Sequence, residues 1–89
     1  MAEQYEKLKI YDREQSSIEQ LLKQKIVRVL EDEGRYYVGV DSDEPSDGWD
    51  IVDKAEKKMY WSTIIDMFAA GVFDKAKELS PEEFIKRVS

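Results

Sequence analysis

The sequence contains no cysteine and no histidine. Without cysteine there is no disulfide, no thiolate zinc site and no thiol nucleophile. Without histidine the commonest general base and the commonest metal ligand are missing. No stretch approaches the roughly 18 apolar residues of a membrane span, and the first residues lack the apolar centre of a signal peptide. These absences together give the expectation of a cytoplasmic protein with no cofactor, no metal and no membrane contact. Four glycines, Gly34, Gly39, Gly48 and Gly71, are too scattered to form a phosphate-binding loop. Basic charge is also short: 14 Lys and Arg stand against 20 Asp and Glu, and the pI is about 4.7. Direct nucleic-acid binding requires a basic face, so it is not expected.

What is present suits one small domain over residues 1–89. The chain is 42% apolar and 11% aromatic, enough for a compact core at a length where one core is just sufficient. Charged residues reach 38% and are unevenly placed. The stretch 31–53 holds Glu31, Asp32, Glu33, Asp41, Asp43, Glu44, Asp47, Asp50 and Asp53 against a single base, Arg35. Nine acids and one base give −8 there, while the whole chain carries −6, so the rest sums to +2. Such a concentrated field steers which partners approach; it says nothing directly about fold.

Local patterns give the fold class. Ser17 and Gln20 form a capping box that starts a helix at Ile18 and turns Ile18, Leu21 and Leu22 inward. The run Ile26-Val27-Arg28-Val29-Leu30 is rich in β-branched residues, and Arg35 to Asp41 alternates with Tyr36, Val38 and Val40 on one face. Asp32-Glu33-Gly34 between them reads as a three-residue loop with Gly34 left-handed, which sets Glu31 opposite Arg35. A hairpin over 25–31 and 35–41 is therefore expected; the other reading is one helix continuing to Gly34. Ser42 to Gly48 reads as a loop. Trp49–Asp53 and Lys57–Trp61 form a second hairpin, although no glycine marks its turn and a helix there is the alternative. Before Ser17, Tyr5, Leu8 and Tyr11 have helical spacing, while Leu8, Ile10 and Asp12 suit a short strand.

Two further helices have clear boundaries. Ser62 or Thr63 caps a helix whose Ile64, Ile65, Met67, Phe68 and Ala69 make it apolar nearly all round, so it should be buried. Gly71 supplies its left-handed stop. Ser80, Pro81 and Glu83 open the last helix with a capping box, and Leu79 staples to Phe84. Phe84, Ile85 and Val88 should dock inward. The expected architecture is α+β: a small antiparallel sheet of three or four strands, with hairpins at about 25–41 and 49–61, and two or three packed helices.

The chemistry available to the acidic segment is narrow. A calcium loop starting at Asp41 fails, because Pro45 and Ser46 fall where a ligand and a glycine are needed. A catalytic carboxylate pair needs a cleft that raises one pKa, and a domain this small offers little volume for one. Trp49, Tyr60 and Trp61 beside the segment suit either interface anchors or core, and core is the commoner use. Acids on an edge also keep a protein soluble and block edge pairing.

The compact plan, the missing cysteine and histidine, and the acidic region from Glu31-Asp32-Glu33 through Asp41-Ser42-Asp43-Glu44 together resemble a type of bacteriophage protein. These are the small acidic inhibitors of host nucleic-acid machinery, including DNA mimics and anti-CRISPR proteins. The missing histidine and cysteine point to a non-enzymatic chain. Separately, the resemblance implies a class of partner, a host nucleoid, nuclease or transcription protein whose basic surface an acidic segment would occupy. The residues expected to do so are Glu31, Asp32, Glu33, Asp41, Asp43, Glu44, Asp47 and Asp50. The second expectation is a structural or assembly module that uses apolar sheet or helix contacts. A homodimer through a strand edge or aromatic face would serve either.

Overall fold

A computed structural model describes residues 8–13, 17–41 and 47–89. In chain order the elements are β1 (Tyr11–Asp12), α1 (Ile18–Leu22), β2 (Lys25–Glu31), β3 (Arg35–Asp41), β4 (Gly48–Asp53) and β5 (Met59–Thr63). They are followed by α2 (Ile64–Ala69), α3 (Val72–Lys75), β6 (Lys77–Leu79) and α4 (Pro81–Val88). The fold is α+β, and six antiparallel strands lie in the order β1-β5-β4-β3-β2-β6. The expected three or four strands are the central ones, β2 to β5. The additional β1 and β6 are edge strands of two and three residues, and the described helices number four rather than two or three.

Both hairpins form, and each turn differs from its expectation in an instructive way. Across the first, Glu31 pairs with Tyr36 and not with Arg35. Gly34 is not left-handed; Gly71 is the glycine with positive φ among the described residues. Asp32 closes the turn instead, its Oδ1 accepting the backbone N–H of Gly34 at 2.9 Å and of Arg35 at 2.8 Å. In the second, Lys57 takes the left-handed position at φ 57°, and its N–H donates to the Asp53 carbonyl at 2.8 Å. An L-residue tolerates that conformation at a modest cost.

The sheet is covered on both faces, so the opposed Tyr36 and Tyr37 are both buried. One face packs Leu30, Tyr37 and Ile51 against Met67, Ala70, Val72 and the N-terminal Leu8. The other packs Val29, Tyr36, Val38 and Val52 against Leu21 of α1 and Phe84 of α4. A bulge between Ile26 and Arg28 inserts Val27 as an extra residue. It shifts the alternation, so that Ile26 and Val29, three positions apart, serve the same cluster.

The helix signals translate with two exceptions. The Ser17–Gln20 box forms in full, Thr63 caps α2, and Ser80 caps α4 with Pro81 at its start. Glu83 does not complete a box at Ser80, because its Oε2 accepts from Arg87 Nε at 3.1 Å. In α4 Phe84 is buried and Val88 packs beside it, whereas Ile85 is exposed. The larger departure is α2. It buries Met67 and leaves Ile65 80% and Phe68 68% exposed, against the expectation that it is covered all round. A six-residue helix lying on a sheet has one inner stripe, and its other apolar residues lie outside it, Phe68 touching only the edge of the next helix through Phe73.

Candidate functional site

The strand register sorts the acidic segment into two groups. Glu31, Asp32, Glu33 and Asp53 lie at the end of the sheet that carries the two hairpin turns, since Arg35 pairs with Asp53. Asp41 and Asp47 lie at the opposite end, flanking the β3–β4 connection. β3 runs seven residues between the two ends, about 20 Å at the rise of an extended strand. Asp43 and Glu44 fall outside the described residues.

At the turn end the carboxylates hold the fold together. Glu31 Oε2 accepts from Lys54 Nζ at 2.9 Å and from Arg87 Nη1 at 2.6 Å, joining β2 to the second turn and to α4. The Lys54 hydrogen bond holds its carboxyl below the ordinary range, with the Lys54 and Arg87 charges adding and burial opposing. Asp32 Oδ2 accepts the buried Tyr37 hydroxyl at 2.9 Å. Burial, and then the adjacent Asp32 carboxylate, push that phenol well above its ordinary pKa. Asp53 Oδ1 accepts the Glu56 N–H at 2.8 Å and so shapes the turn. Of this group, Glu33 is exposed.

Asp50 is apart from both groups. It is 7% exposed, lies on the Val38–Val52 face, and pairs with Arg13 at 3.1 Å. Burial raises its carboxyl pKa, and Arg13 offsets that only in part. Asp41, on the Tyr37 and Gly39 parity of β3, points to the opposite face of the sheet.

At the opposite, open end the described acids, Asp41 and Asp47, are on the surface. Lys25 is the residue across from Asp41 in the β2–β3 register. Asp47 is fixed to the start of α2, its carbonyl accepting the Ile64 N–H at 2.6 Å. Gly48 next to it has no room for a side chain: a Cβ would stand 2.1 Å from the Ser62 carbonyl oxygen and 2.4 Å from the Trp61 ring. The start of β4 is thereby pressed against β5, which brings the Asp47 end of the sheet beside α2.

From α2 a row of aromatic rings runs back over the sheet. Phe68 lies 4.9 Å from Phe73, and Phe73 meets Trp49 edge-on at 5.4 Å. Trp49 lies over Gly39, where a Cβ would come within 3.0 Å of the indole, and the Arg28 guanidinium stands 5.9 Å from its ring. Trp49 and Tyr60 pack against the core, while Trp61 is half-buried beside Tyr11 and Arg13. In the sequence Trp49 stands out as an anchor or core residue and Phe68 as part of an apolar helix, but Phe73, which joins them, does not. The signal of the row in the sequence is Ile65, Phe68 and Ala69 at helical spacing around a lone Asp66.

On the far side, a groove is lined by Asp12, Arg13, Ser17, Ile18, Glu19, Lys57, Lys58 and Met59. Its charges are mixed, Asp12 and Glu19 standing with Arg13, Lys57 and Lys58. Among the described residues no three acids converge in a way that would hold a metal ion, and no helix is long and apolar enough to cross a membrane. Searches against family models, curated proteins and solved structures return no match for the chain.

Proposed function

We propose that this chain is a non-enzymatic interaction protein that occupies a basic, nucleic-acid-contacting surface of another protein, in the manner of a phage-type DNA-mimic inhibitor. The observation that carries the reading is the open end of the sheet. Asp41 and Asp47 are exposed there, on either side of a connection that also contains Asp43 and Glu44, and the cation facing Asp41 in the described register is Lys25. Glu31, Asp32 and Asp50 serve the fold, so the recognising acids reduce to Asp41, Asp43, Glu44 and Asp47, with Glu33 as an outlier at the far end. A charged patch of this kind speeds encounter with a basic partner and makes binding sensitive to salt.

The test is a pull-down from a bacterial lysate at low and at physiological salt, with the Asp41, Asp43, Glu44 and Asp47 carboxylates changed to amides in a control chain. The native chain should retain basic nucleic-acid-binding proteins at low salt, and the amide variant should lose them. Charge reversal at Lys75 and Lys77 should have little effect. Equal losses in the two sets, or a complex indifferent to salt, would contradict the proposal.

A further inference from the structure

We infer that the outer face of α2 is the apolar half of the same contact, and that its occupant is a short basic amphipathic segment of a partner protein. This rests on the proposed acidic docking and adds where the partner's apolar side chains go. Ile65, Phe68 and Ala69 are exposed at positions i, i+3 and i+4 of one helix, forming a stripe rather than scattered apolar residues. The exposed Phe68 ring is supported from behind by Phe73 and, through it, by Trp49. A ring already held in place loses little freedom on binding, which favours its use as an anchor.

The surroundings select among occupants. α2 contains Asp66 and no base, its first N–H is bound to the Asp47 carbonyl, and Asp41 lies at the same end of the sheet. An acid-flanked apolar stripe complements apolar residues flanked by lysine or arginine. A second copy of this chain would instead bring acid against acid, in a molecule of net charge −6. Area argues the same way. Two large side chains present on the order of 300 Å², well under the roughly 800 Å² per partner of a standard stable interface but suited to one short segment.

Two synthetic peptides of identical leucine and lysine composition make the test, one ordered as an amphipathic helix and one scrambled. Binding to the native chain, to I65S/F68S and to D41N/D47N is measured by calorimetry at low salt. The amphipathic peptide should bind the native chain about ten-fold tighter than the scrambled one. I65S/F68S should abolish that preference while retaining the weaker binding of both peptides, and D41N/D47N should weaken both. Both positions are largely exposed, so I65S/F68S should still unfold cooperatively, with a midpoint lowered only by loss of the Phe68–Phe73 contact. Equal affinity for the two peptides overturns the α2 docking and leaves the acidic reading standing. Failure of both peptides to bind overturns the two together. A native dimer in sedimentation that I65S/F68S dissociates makes a second copy the occupant and also overturns the inference.

Discussion

Asp32 makes three hydrogen bonds with two oxygens, and they tie a turn to the core. Oδ1 satisfies the Gly34 and Arg35 N–H groups, while Oδ2 takes the hydroxyl of Tyr37, a ring with no exposed surface. A turn whose pattern calls for a left-handed glycine is closed by a side chain instead, which is a common role of aspartate at such a position. Removing the carboxylate leaves the turn N–H groups to water and strands a buried hydroxyl, and the stranded donor is the larger loss. Asp32→Ala should therefore lower stability by about 2–3 kcal/mol, and Tyr37→Phe by about 1 kcal/mol. In urea unfolding the double variant should lose less than the two single losses together, by at least about 0.5 kcal/mol. Strict additivity would mean that the Asp32–Tyr37 bond contributes nothing. Asp50 is the contrasting case, a buried acid whose raised pKa records an environment that favours its neutral form.

At the scale of elements, Glu31 is the point where β2, the Asp53–Lys58 turn and α4 meet. Its lowered pKa means that the folded state binds the ionised form more tightly than the unfolded chain does. That contribution is fully present above the ordinary glutamate value of 4.5 and is lost as pH falls through the lowered folded value. Asp50 acts with the opposite sign, since its raised value favours the folded state most when the carboxyl is protonated. Glu31→Gln should cost about 1–2 kcal/mol at pH 7, and its gap from the native chain should close as pH drops below 4.5. Urea titrations at pH 7, 5, 4 and 3 measure this, and a gap independent of pH would argue against the bridge. Elements of this kind were legible where short-range chemistry fixes them: the caps at Ser17, Thr63 and Ser80, the stop at Gly71, and the alternation of Arg35 to Asp41. β6 and α3 were not legible, being three and four residues long and existing only because a neighbour pairs with or packs on them, and β1, two residues long, was left open between a helix and a short strand. The exposure of α2 was hidden for a related reason: an apolar helix looks buried until the number of surfaces available to it is known.

For the molecule as a whole, the hairpin pattern divides the acidic segment between a turn and a loop, while the partner of each acid was not in the sequence. A net of −8 over 23 residues becomes a turn end where lysine and arginine take up much of the charge, and an open end where Asp41 and Asp47 face solvent. What separates them is β3, whose length exceeds the roughly 8–10 Å over which charges act at moderate ionic strength. Strand register, which depends on turns that local pattern misread, decides which partner and which face of the sheet each acid meets. The two ends should accordingly behave as independent electrostatic sites. Single charge reversals test this: Asp47→Lys at the open end and Glu33→Lys at the turn end change net charge by the same amount. If the open end steers encounter, Asp47→Lys should slow association with the amphipathic leucine–lysine peptide several-fold at low salt, and Glu33→Lys by less than about two-fold. The two rates should converge near 0.5 M salt, where the screening length falls to roughly 4 Å. Stopped-flow association at three salt concentrations separates the outcomes. Equal slowing by both reversals would mean that the peptide senses total charge alone, and the open end would lose its claim as the recognising surface.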